Sequence, residues 1–286
     1  MNTIRSKQTL IIAAVVLLVA FLFTRDIKGL VKPKEEKAGV PAGGQLSSAN
    51  STINLTEVST EAKNTINANL ATEIATLENA YQAASGDDQL NAAKVLAQKW
   101  DDVEKTIPSA LYLEIVANKE QTLNNWLAAG GRLMKAYDTT TDSVTTPVLL
   151  QKANMAYTNA FALDSTNLDA KTGLGITIVN GMGAPMSGIA MLLDVVKKDP
   201  KNLRANMSLG TFAIKSGQFD KAITRFNDII AMKPTPDAYF YLGTAYENLG
   251  KNKEAIDAYL SSKKLAANPT LSSFIDKKVA ELKNKS

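Results

Sequence analysis

The sequence predicts an all-α protein. It should be a solenoid of helical hairpins, with an N-terminal transmembrane helix before it and a C-terminal capping helix after it. Two observations predict this. The stretch from Leu203 to Ser262 matches itself when slid by 33 residues: Leu209-Gly210 falls on Leu242-Gly243, Gly217 on Gly250, Ala222-Ile223 on Ala255-Ile256, and Phe226 on Tyr259. Self-similarity at that period marks a solenoid, in which each unit buries its apolar face only by stacking on a neighbour. The second observation is Leu10 to Phe23, 14 apolar residues without a break, bracketed by Lys7 and Arg25.

The N-terminus comes first. Residues 1–8 form a short basic tail. The charge-free run from Gln8 to Thr24 is 17 residues, about 25 Å as a helix, which is the lower limit for crossing a bilayer. Thr24-Arg25-Asp26-Ile27-Lys28-Gly29 offers no small-x-small cleavage site, so residues 9–24 read as an uncleaved signal-anchor helix rather than a removable leader. The basic tail without acidic residues favours a cytoplasmic N-terminus and a periplasmic body at the inner membrane. The cations on the other flank, from Arg25 to Lys37, argue for the opposite orientation, with the body cytoplasmic. Residues 25–55 contain a charge cluster, KPKEEK, and then VPAGGQLSSANST. Neither can build a core, so this segment is a flexible linker.

From Thr56 to Ala84 apolar residues recur every three or four positions: Val58, Ala62, Ile66, Leu70, Ile74, Leu77 and Tyr81. This predicts one helix, ended near residue 86 by Ser85-Gly86. It would cap the stack or join two copies as a coiled coil, and the irregular flanking charges favour the cap. Residues 87–269 then divide into hairpins. Two are degenerate, at about 88–121 and 122–166. Three are clearer, at 167–202, 203–235 and 236–269. Pro108 stands where a second helix would begin. The segment Asp138–Pro147, DTTTDSVTTP, reads as a long inner loop. In the 167–202 copy Leu174-Gly175 takes the paired position, Gly188 replaces the small Ala, and the inner turn Asn180–Pro185 is conformationally loose. Over residues 270–286 Leu271, Phe274, Ile275, Val279 and Leu282 make one apolar stripe opposite Lys277, Lys278, Glu281, Lys283 and Lys285. That pattern describes a solubilising C-terminal cap helix.

The repeat resembles the tetratricopeptide repeat family, in its membrane-anchored bacterial form. The better copy carries Tyr239-x-x-Leu242-Gly243-x-x-Tyr246, then Ala255-x-x-x-Tyr259. The other carries Asn206-x-x-Leu209-Gly210-x-x-Ala213, then Ala222-x-x-x-Phe226 and Pro234. The resemblance implies a right-handed superhelix with a concave groove lined by first helices. The matching positions here are Thr172 and Ile176, then Arg204, Met207 and Thr211, then Phe240, Tyr241 and Thr244. Some members of the family grip a terminal carboxylate with Lys and Asn at such places. Met207, Thr211, Phe240 and Thr244 stand there instead, which favours an apolar or extended peptide.

Composition excludes much of the alternative chemistry. The chain has no Cys and no His, so thiol catalysis, Cys-zinc sites and every triad that needs imidazole are out. No phosphate-binding loop is present, and Gly173-Leu174-Gly175 lacks the third Gly and the strand of a dinucleotide fingerprint. Asp87-Asp88 and Asp101-Asp102 read as helix starts or solvated faces rather than metal ligands. The sequence therefore predicts no enzyme, no cofactor and no metal. Residues 203–286 hold 13 basic and 8 acidic residues against 7 and 11 in 51–137. No basic run is interleaved with aromatics, so nucleic acid is not an expected partner.

The expected function is a membrane-tethered scaffold or adaptor for a cell-envelope complex. It would hold a protein or peptide partner in the groove and the lipid bilayer through residues 9–24. Two other readings fit the same residues: a chaperone-like assembly factor for exported proteins, of the cytochrome c biogenesis type, and a structural protein that self-assembles through residues 56–84.

Overall fold

A computed structural model describes residues 53–284. The tail, the expected span at residues 9–24 and nearly all of the linker lie outside the described residues. Among those described there are 13 helices and no strand, and no helix is long and apolar enough to cross a membrane.

Where one helix was expected up to Ala84 there are two: α1, Leu55–Lys63, and α2, Ala68–Ala83. The periodicity of three and four runs through both, so it hides the break. Asn67 makes the break local: its side chain accepts a bond from the Asn69 amide and starts a new helix. The fold-back brings Ser59 and Lys63 of α1 onto the carboxylate of Glu78 in α2. Glu78 is buried and needs those partners, since an unpaired carboxylate there would be costly. Ile74 is fully buried, and Leu77 and Tyr81 pack on the same cluster. Ile74, Leu77 and Tyr81 of α2 are thus packed within the chain's own first cluster, and Leu70 stays 39% exposed.

Five hairpins follow: α3, Gly86–Asp102, with α4, Thr106–Glu120; α5, Leu123–Thr139, with α6, Thr145–Leu163; α7, Leu168–Thr177, with α8, Pro185–Lys198; α9, Leu203–Lys215, with α10, Phe219–Met232; and α11, Pro236–Asn248, with α12, Asn252–Leu265. The last helix is α13, Pro269–Asn284. Each helix packs on the next in sequence.

The two kinds of helix begin differently. Asn167, Asn202 and Thr235 cap α7, α9 and α11 with side-chain oxygens. The second helices α8, α10 and α12 have no such cap. Two of these, α10 and α12, follow a tight turn. At Gly217, φ is +73°, and the Gln218 amide reaches back to the Ala213 carbonyl at 2.8 Å. This closes α9 with a left-handed residue that only Gly adopts cheaply.

The expected long loop Asp138–Pro147 is shorter than the sequence suggests. Helix α5 runs to Thr139 and α6 starts at Thr145. The Asp142 carboxylate accepts from the amides of Val144 and Thr145, which winds VTTP into a first turn where Pro147 needs no donor. Those bonds, led by the one from the Thr145 side chain, hold the Asp142 carboxyl below its usual range. Asp101-Asp102 ends α3 rather than starting a helix: Asp102 lies on a solvated face, and Asp101 takes a two-toothed grip from Arg132 of α5.

The loose turn after α7 is a π-helical turn, Ile178–Met182, in which Gly181 has φ +131°. It absorbs the residue by which this hairpin exceeds the next two.

The C-terminal helix continues the repeat. Asn268-Pro269 falls 33 residues after Thr235-Pro236, and Asn268 caps its helix as Thr235 does. Ile275 follows Leu242 at the same spacing and is equally interior. Helix α13 is therefore a further first helix. Lys263 holds its Asp276 and Glu247 holds its Lys278. Phe274 does not join the buried stripe expected of it and stays 46% exposed. It falls 33 residues after Tyr241, in the groove register.

Candidate partner-binding groove

The packing unit is a glycine against a ring. A Cβ on Gly210 would lie 2.8 Å from the Phe226 ring, and one on Gly243 would lie 2.8 Å from the Tyr259 ring. Phe226 and Tyr259 are fully buried, each contributing roughly 1.5–3 kcal/mol from apolar area removed from water. In the α7/α8 hairpin no ring is available. There Gly175 and Gly188 meet backbone to backbone, and a Cβ on Gly188 would lie 2.6 Å from the Gly175 carbonyl.

Tyr157 of α6 serves two hairpins. A Cβ on Gly130 would sit 3.0 Å from its ring, and one on Gly173 would overlap it outright. Its hydroxyl emerges towards α9 and accepts a bond from Arg204 Nη2 at 2.7 Å, with the guanidinium 5.3 Å from the ring centre. Burial pushes the Tyr157 hydroxyl up, against the pull of Arg204.

The first helices α5, α7, α9 and α11, with the π turn after α7, line one open cavity of about 440 Å³. Of the residues expected to face a groove, Ile176, Arg204, Met207, Thr211, Phe240, Tyr241 and Thr244 all line it. Thr172 does not. It is 1% exposed, and its hydroxyl has no partner among the described residues.

Phe240 and Tyr241 are half-buried and do double service. Tyr241 stacks on Phe226 with ring centres 5.7 Å apart. Phe240 touches Tyr241, Tyr259 and Phe274, the last at 5.9 Å. Burial raises the Tyr241 hydroxyl, helped by Asp237 and Asp138. The Tyr259 hydroxyl donates to Glu247 at 2.7 Å and lies 3.2 Å from the Thr244 hydroxyl. The rings that line the groove are thus braced by the core beneath them.

The cavity also holds residues that the repeat register did not point to: Met134 and Asp138 from α5, Val179 and Asn180 from the π turn, and Ser208, Phe212, Ile214 and Lys215 from α9. Those on α9 were legible, because Arg204, Met207, Ser208, Thr211 and Lys215 share one face at helical spacing. Asp138 was not. It comes from a degenerate hairpin, at the residue where the sequence pattern passes from helix to loop.

Asp138 keeps more than a third of its surface open to solvent. The protein mass behind it still raises its carboxyl, while Arg204 and Lys215 oppose the rise. Among the described residues Asp138, Arg204 and Lys215 form no ion pair. Elsewhere charges are joined across helices, as in Lys152–Glu114, Lys171–Asp194 and Lys278–Glu247. No group of three or more acidic side chains among the described residues could hold a metal.

Known proteins share the fold. No curated protein matches the chain by sequence. A solved structure of TTC0263, a thermophilic TPR protein of Thermus thermophilus, is 14% identical, with a TM-score of 0.54 over 67% of this chain and 99% of its own. MamA is 20% identical, with a TM-score of 0.44 over 59% of this chain and 92% of its own. YrrB, described as a TPR protein with an unusual peptide-binding site, is 15% identical, with a TM-score of 0.42 over 65% of this chain and 91% of its own. Residues 209–270 match the tetratricopeptide repeat family model. With that match and the fold shared with TTC0263 in hand, residues 209–270 are tetratricopeptide repeats within a TPR-like all-helical fold.

Proposed function

We propose that this chain is a protein-binding scaffold that holds an extended segment of a partner in the cavity of its first helices. The reading rests on one observation: four successive first helices line a single open cavity of about 440 Å³, with half-buried apolar side chains from α9 and α11 and charges outside any ion pair from α5 and α9. A surface meant only to stack would cover its rings and pair its charges. The sequence adds a tether. Residues 9–24 would anchor the scaffold in the inner membrane, and the linker would hold the repeats off the surface, on the periplasmic side by the charge of the N-terminal tail.

Site-specific photocrosslinking in cells tests the groove. A benzoylphenylalanine in place of Met207, inside the cavity, should capture a discrete partner. The same group in place of Met155, on α6 and 57% exposed, should not. Equal capture at both positions would refute the groove reading. Alkaline extraction tests the tether: the full chain should stay with the membrane pellet, and a chain lacking residues 9–24 should be released.

A further inference from the structure

The three charges of the cavity carry a narrower conclusion, which rests on the groove reading above. Two are cations on one helix face. Arg204 and Lys215 are eleven residues apart on α9, about 16 Å along the axis, which is the length of roughly five residues of extended chain. The third is Asp138 of α5, which lines the same cavity and feels the charge of both. Neither cation is paired with it. The cavity lining therefore carries one net positive charge.

Arg204 is also held in place. Its Nη2 donates to the Tyr157 hydroxyl, and the Tyr157 ring is fixed between Gly130 and Gly173. One of the five guanidinium N–H groups is spent on that bond, and the others are left to grip a planar carboxylate. Beside this pair lie Met207, Phe240 and Tyr241, half-buried and apolar.

We propose that the cavity takes an extended partner segment with one carboxylate beside apolar side chains, that Arg204 holds the carboxylate while Lys215 attracts it from the far end of α9, and that Asp138 is the specificity-determining counter-charge that weakens the hold. Asp138 repels the same carboxylate that the two cations attract. Removing its charge should tighten binding, whereas removing either cation should loosen it. A cationic segment would give the reverse signs. The crowding that raises the Asp138 carboxyl accords with a group that lacks a donor in the unliganded protein. Because Asp138, Arg204 and Lys215 are all partly solvated, the effects should be moderate and should shrink with added salt.

The test uses the full-length chain and an array of acetylated, amidated 12-residue peptides of random Cys-free sequence. The retained peptides should be enriched in Asp or Glu next to aromatic or aliphatic residues. The strongest binder, and its copy with Gln or Asn for the acid, are then titrated by fluorescence anisotropy. Asp138→Asn should tighten the acidic peptide two- to fivefold, and Lys215→Gln should loosen it three- to tenfold. The amide copy should show neither effect. Arg204→Gln should loosen it more. Lys215 is exposed and makes no contact that the fold needs, so that variant keeps the test sound even if Arg204→Gln disturbs Tyr157. Retention of neutral or basic peptides, or weaker binding by Asp138→Asn, overturns the proposal while the groove reading stands. If no peptide is retained, or binding is indifferent to Met207→Arg, both fall.

Discussion

The α7/α8 hairpin and the two hairpins after it solve the same problem differently. In α9/α10 and α11/α12 a ring from the second helix lies on a glycine of the first, Phe226 on Gly210 and Tyr259 on Gly243. Each of these hairpins supplies its own filling. The α7/α8 hairpin has no ring at that place. Its helices close until Gly175 meets Gly188, and the seam on its other side is filled by a neighbour's Tyr157. A self-filled hairpin tolerates change in its neighbours. One that borrows a ring is tied to the hairpin that lends it. The loan runs at least one step further, since the borrowed ring also anchors Arg204 of α9.

The largest effect should come from removing the lent ring. Tyr157→Ala should cost about 3–5 kcal/mol, the usual range for an aromatic truncated in a core. It empties space against two glycines and frees Arg204, so its cost should exceed that of Phe226→Ala, whose ring fills one glycine. Urea unfolding of both variants makes the comparison, and an equal or greater loss for Phe226→Ala would show that Tyr157 is not shared in energy as it is in geometry.

A middle-sized effect belongs to the close contact. Gly188→Ala should destabilise by roughly 1–3 kcal/mol, because the added methyl meets a backbone carbonyl that cannot rotate away. Helix propensity alone predicts the opposite, since Ala is the better helix former by about 1 kcal/mol, and Ala222 and Ala255 stand at this position in the next two copies. A rise in melting temperature on this substitution would mean that the helices part easily. The smallest effect sits in the turns. Gly217→Ala should cost about 1 kcal/mol for its left-handed backbone, read as a shift in denaturant midpoint with an unchanged slope.

Sequence reasoning could read whatever the 33-residue period carries. Leu209, Leu242, Ala222 and Ala255 are in the core as expected, and seven of eight groove candidates share one cavity. It misread what depends on a partner distant in sequence. Thr172 fits the groove register, but in this hairpin the first helix sits so close to its neighbours that the side chain is enclosed. The break at Asn64–Asn67 preserves helical phase, so periodicity cannot show it. Asp138 lies on helix because α5 runs on to Thr139, while Asp142 starts the next helix at Thr145. Such local capping leaves little trace in a hydrophobic pattern.

The shared Tyr157 gives the protein an internal reporter. A tyrosine turns about its Cβ–Cγ axis only when its surroundings briefly swell, and this ring has glycine backbones on two sides and its hydroxyl tied to Arg204. Ring-flip exchange in NMR spectra should therefore be slow. A ligand that grips the guanidinium would slow it further, so occupancy of the cavity would register at a side chain that the ligand need not touch.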